Sequence, residues 1–171
     1  MKKIIPALII LSFACKACKK ESVDASQGGL GTISAKIDGN TKTFNTSAKA
    51  IQVSTRSPYE IRIEGYEKPG SLTNIAIRIV SPNPIVAGIY SNDPDPSTHV
   101  QIIYYEGPQL YGTDHDSWEQ VGFLHRTGSV TINEISNSSV KGTFSATLFY
   151  STFTGTDLTN TLSNGIFNVS F

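Results

Sequence analysis

Cysteine is nearly absent from this chain, and both copies, Cys15 and Cys18, fall within the first eighteen residues. The remainder therefore has no disulfide framework, no thiolate zinc site and no catalytic cysteine. Long apolar runs are missing as well. The longest, Ile4 to Phe13, is ten residues, half of the roughly 20 that a transmembrane helix needs. No ten-residue stretch repeats apolar side chains at a 3.6-residue period, which argues against helices. From residue 30 onward nine Lys/Arg stand against twelve Asp/Glu, a net charge near −3. That balance argues against nucleic acid as a partner, because phosphate binding needs a clustered basic face.

What is present begins at the N-terminus. Lys2 and Lys3 precede the apolar run, and Ala14-Cys15 ends it with a small residue before a cysteine. This is the pattern of a bacterial lipoprotein signal, cleaved before an acylated cysteine. Cys15 is the expected lipid site. Cys18 is the alternative, although it would place Lys16 where the signal-peptidase groove is apolar. An ordinary secretory signal without lipid is the plainer reading. The expected organisation is thus a signal peptide over 1–14, an acylated flexible tether over 15–29, and one domain over 30–171. The tether (KACKKESVDASQGG from Lys16) is polar and ends in Gly-Gly, with too little apolar surface to order itself. The membrane is then a partner through the N-terminal lipid.

The domain alternates in strand fashion almost throughout. Ile33, Ala35 and Ile37 alternate up to Asp38-Gly39, a hairpin turn pair, and the chain returns around Phe44. Ile61 and Ile63 alternate with Glu60, Arg62 and Glu64, and Ile75, Ile77 and Ile79 follow after a Pro-Gly turn. Ala50–Ser54, Ile85–Tyr90, Val100–Glu106, Gln120–His125, Val130–Ile132, Val140–Tyr150 and Gly165–Phe171 complete the expected strands. Nine to eleven short strands predict an all-β, antiparallel β-sandwich, with a closed calycin-like β-barrel as the alternative. A transmembrane barrel is disfavoured, since most of these runs are shorter than the nine to eleven residues that span a bilayer. Ile75, Ile77, Ile79, Phe144, Leu148, Phe167 and Val169 are expected to share one core.

The Ala35-Lys-Ile-Asp-Gly39 opening, Ala87-Gly-Ile-Tyr90, Val140-Lys-Gly-Thr-Phe144 and the closing Asn164-Gly-Ile-Phe-Asn-Val-Ser-Phe171 together resemble small outer-membrane lipoproteins of the Bacteroidota. The Cys-Lys-Lys-Glu stretch after the signal is similar to theirs too. The resemblance implies a β-sandwich-like domain held at the outer membrane, on its periplasmic or cell-surface side. It implies no catalytic residues, and the doubled cysteine departs from the pattern.

Chemistry-bearing residues concentrate where basic ones are missing. No Lys or Arg occurs between Arg78 and Arg126, while that interval holds six carboxylates and all three histidines. Asp93 and Asp95 open like a calcium loop, yet the glycine and glutamate that an EF-hand requires later are replaced by Thr98 and Tyr104. Gly107–Glu119 reads as a longer loop carrying Tyr111, Asp114, His115, Asp116, Trp118 and Glu119. Aromatic faces beside carboxylates suit sugars, whose C–H faces stack while their hydroxyls bond to the acids. The plainer reading has Trp118 plugging the core. His99, His115 and His125 lack zinc-ligand spacing, so no metal site and no cofactor is expected. No nucleophile elbow or H-E-x-x-H motif is present, so no enzyme activity is expected. The expected role is a binding or assembly component of the envelope, with an envelope protein or a glycan as ligand.

Overall fold

Alternation at period two puts every second side chain on one sheet face, and eleven strands follow that rule. In chain order they are β1 (Thr32–Ile37), β2 (Asn40–Thr43), β3 (Thr46–Ser54), β4 (Tyr59–Tyr66), β5 (Asn74–Ser81), β6 (Gly88–Ser91), β7 (His99–Glu106), β8 (Gln109–Gly112), β9 (Ser129–Ile135), β10 (Ser139–Ser151) and β11 (Asp157–Ser170). The computed structural model describes residues 31–91, 97–113, 128–151 and 157–171. Among the described residues there is no helix. The protein is all-β, and every strand pairing is antiparallel.

The strands form one sheet in the order β2-β1-β11-β10-β8-β7-β5-β4-β3, with β6 and β9 branching from β10. Its curl carries β3 back against β11, giving a half-barrel around a single core. Phe44 and Asn45 bridge β2 to β3. The Phe44 amide donates to the Ile33 carbonyl at 2.8 Å, and the Asn45 carboxamide oxygen accepts from the Ile33 amide at 3.0 Å.

Register aligns the apolar residues into rows. Ile63, Ile77 and Ile102 lie side by side on β4, β5 and β7, each 1% exposed or less. Burying one such side chain contributes about 1.5–3 kcal/mol. All seven expected core residues, from Ile75 to Val169, are buried. The curl has a local cause on β10 and β11. Gly142 stands opposite Phe167 and Gly165 opposite Phe144, and the two rings pack with centroids 6.3 Å apart. A Cβ at Gly165 would sit 2.7 Å from the Phe144 ring. The glycines thus let large rings lie flat on the facing strand, where a side chain would hold them off.

Three expectations need correction. Ile85–Tyr90 is not one strand: pairing starts at Gly88, and the Tyr90 hydroxyl folds back to bond both the amide and the carbonyl of Val86 at 2.8 Å. The neighbouring prolines, Pro82 and Pro84, cannot donate to a ladder. Gly107 does not open a long loop but makes a tight turn with φ of 61°, from which β8 returns along β7. β11 starts at Asp157, well before Gly165, because its polar first half pairs with the end of β10. The expected strand at Gln120–His125 lies outside the described residues. The burial pattern, apolar inside and polar outside, is the inverse of a transmembrane barrel.

Candidate functional site

β10 is long enough to change partners along its length. Val140–Ser145 pairs with β9, and Phe149 pairs with Gly112 of β8. The sheet therefore forks between β8 and β9. Thr113 leaves β8 at this fork and is fully buried. Its amide donates to the Ile102 carbonyl at 3.0 Å, and its hydroxyl accepts from the Ile102 amide at 3.0 Å. Gly128 enters β9 from the other side, so close that a Cβ there would lie 3.2 Å from the Thr113 methyl. Ser91, the last residue of β6, pairs with Ser129. The chain thus departs for 92–96 and returns from 114–127 at adjacent points of one fork.

Of the residues singled out from sequence, Asp93, Asp95, Asp114, His115, Asp116, Trp118 and Glu119 lie outside the described residues. So do both candidate lipid sites, Cys15 and Cys18. Tyr111 is described, and it is no exposed stacking face. It is 6% exposed, directly opposite Tyr104 in the β7–β8 register. Its ring lies 6.0 Å from that of Tyr104 and 5.5 Å from that of Tyr150. Its hydroxyl donates to Gln109 at 3.1 Å, and burial pushes its phenol pKa up. Alternation with Leu110 and Gly112 on a paired strand, rather than freedom in a loop, turned it inward.

Sequence reasoning missed a polar group beside these rings. Lys42 on β2 reaches Glu106 on β7 at 3.0 Å, and its ammonium lies 5.9 Å from the Tyr104 ring centroid. The Tyr104 hydroxyl donates to the same Glu106 oxygen at 3.2 Å. The Lys42 hydrogen bond holds the Glu106 carboxyl below its usual pKa, and that bond likewise raises Lys42 above the ordinary lysine range. Burial pushes the Tyr104 phenol up. Five pairings separate β2 from β7 along the sheet, so this ion pair joins strands that are not neighbours in it. A signal existed in the sequence, since Lys42 stands opposite inward Ala35 across the first hairpin. Its partner, 64 residues away, gave none.

Among the described residues, no three His, Cys, Asp or Glu side chains are grouped to hold a metal ion. Nor does any helix of the described residues have the length and apolarity to cross a membrane. No protein-family model, curated protein or solved structure matches the chain.

Proposed function

We propose that this is a lipid-anchored domain of the bacterial envelope, acylated at Cys15, which binds a ligand or partner around the fork between β8 and β9. The observation that carries the reading is the convergence at that fork. Ser91, Thr113, Gly128 and Ser129 bring to one place on the sheet the ends of two segments, 92–96 and 114–127, that hold five carboxylates and, in Arg126, a single basic residue. Connections between the strands of a β scaffold are where binding is disproportionately found. The anchor rests on the N-terminal pattern and on the resemblance to small outer-membrane lipoproteins of the Bacteroidota. The barrel-like description of the fold is favoured over the sandwich by the continuous strand order and by β3 lying against β11.

A carbohydrate ligand is the second reading, supported by the clustering of Trp118 with Asp114, Asp116 and Glu119 in sequence. Mass spectrometry of the mature N-terminus tests the anchor. Acylated Cys15 is expected; acylated Cys18 moves the site, and an unmodified terminus removes the anchor. Trp118 is the sole tryptophan, so its emission reports on the 114–127 segment. A change on adding envelope glycans supports the carbohydrate reading, a change with calcium alone supports a cation site, and silence toward envelope glycans, calcium and envelope protein fractions overturns the fork as a binding region.

A further inference from the structure

The outer face beside the fork carries a depression of about 280 Å³, lined by Ser129, Thr131, Thr143, Phe144, Ser145, Asn164 and Gly165. We infer that this depression binds one ring of a neutral, polyhydroxylated ligand, a pyranose unit of a glycan. The inference rests on the reading of the fork as the binding region and names a ligand class for its described part.

Its lining is built by register. Thr143 faces Thr131 and Ser145 faces Ser129 across β9 and β10, so four hydroxyls form two adjacent pairs on the outward side. The third wall comes from an irregularity in β11. Pairing with β10 shifts between Phe144 and Ala146, and Asn164 takes φ of 50°, which turns it out of the regular alternation. Such bulges re-aim side chains. Gly165, pressed against Phe144, leaves the base low and free of a side chain.

Chemistry narrows the ligand. Each hydroxyl donates one hydrogen bond and accepts others, and the Asn164 carboxamide does both. Among the described residues none of these five polar side chains forms a hydrogen bond, so their capacity is available outward. A pyranose presents groups of the same dual kind. No charged side chain lines the depression, so a phosphate, carboxylate or ammonium would lose hydration there without a compensating ion. The volume, just below the roughly 300–1,000 Å³ of small-molecule sites, suits a single ring rather than a lipid chain.

The test is amide chemical-shift mapping of the full chain with methyl α-D-glucopyranoside, mannopyranoside and galactopyranoside, up to ~100 mM, enough to fill a site of millimolar affinity. Glucuronic acid and glucosamine serve as charged counterparts. At least one neutral probe should shift the amides of residues 129–131, 143–145 and 164–165 more than either charged one. The double variant T131V/T143V, close in shape and suited to strands, should bind about tenfold more weakly, as expected for lost neutral hydrogen bonds. The variant N164G, which keeps the left-handed backbone, provides a second loss with the sheet unaltered. No shift with any neutral probe, an equal response to charged probes, or full binding by both variants overturns the proposal. A Trp118 response to glycans without these amide shifts would overturn the depression while leaving the fork reading standing. Silence in both would overturn the depression and the carbohydrate reading together, and the calcium and envelope-protein arms would then decide the fork.

Discussion

The two halves of the sheet bury the same kind of interior and present different exteriors, although β10 and β9 also share one ion pair, Lys141–Glu134 at 2.8 Å. On β3, β4 and β5 the outer face is a ladder of ions. Lys49 and Arg62 both reach Glu64, at 3.5 and 3.1 Å, and Arg78 holds Glu60 through two bonds of 2.8 and 3.2 Å. Arg62 and Arg78 stand directly opposite one another, and each has a carboxylate to relieve the repulsion. On the other half, one row runs Thr43, Ser34, Ile166, Thr143, Thr131 and Ile89 across six strands without a charge. The ionic half is satisfied by its own neighbours. The hydroxyl half spends little of its hydrogen-bonding capacity on itself around Thr131 and Thr143, and the depression lies there.

The largest expected effect breaks what the halves share. Ile77→Ala beneath the ionic half should cost about 2–5 kcal/mol, and Phe144→Ala beneath the hydroxyl half about 3–5 kcal/mol. Denaturant unfolding should show both as lowered midpoints in a single transition. An unchanged midpoint for either would mean that one half lacks the core described for it.

The next effect separates them by pH. Glu60 has its pKa lowered, chiefly by the Arg78 hydrogen bond, and Glu106 by that of Lys42. Both bind protons less readily when folded, so their contribution is present above the unfolded carboxylate value of about 4.3. It disappears as pH falls through the folded values. Both pairs are partly open to solvent, which limits each to about 1 kcal/mol or less. Melting temperature should fall between pH 6 and pH 3, and Glu60→Gln should blunt that fall. A pH response unchanged by Glu60→Gln would show that the Glu60–Arg78 pair contributes nothing to folding.

The smallest effect is expected where binding is proposed. The T131V/T143V double variant should alter stability by no more than about 0.5 kcal/mol per site, the usual range for surface positions. Thermal unfolding decides this. A large loss would show that these hydroxyls support the sheet rather than await a ligand.

Much of the fold was legible because alternation is a local property. The apolar positions Ile61, Ile63, Ile75, Ile77 and Ile79 announce strands with one dry face, and Asp38-Gly39 announces its turn through two positive φ values. The tight turn at Gly107 was less legible, since glycine and proline mark long loops as readily as hairpins. Tyr111 shows the consequence. An aromatic beside acidic residues reads as a binding face until a strand partner, Tyr104, claims it for the core.

The candidate site was legible only as a bias in composition, the interval from Arg78 to Arg126 without a basic residue. The residue types along the chain, by themselves, determined an antiparallel all-β domain, its dry face and the pairing of its first hairpin, because each depends on neighbours within a few positions. Tertiary structure alone decided that β10 should divide its pairing between β8 and β9, that Lys42 on β2 should meet Glu106 on the non-neighbouring β7, and that Asn164 should join the hydroxyls of β9 and β10. Each of these joins residues distant in the chain or depends on the register between strands, and long-range register is set by how the whole core packs.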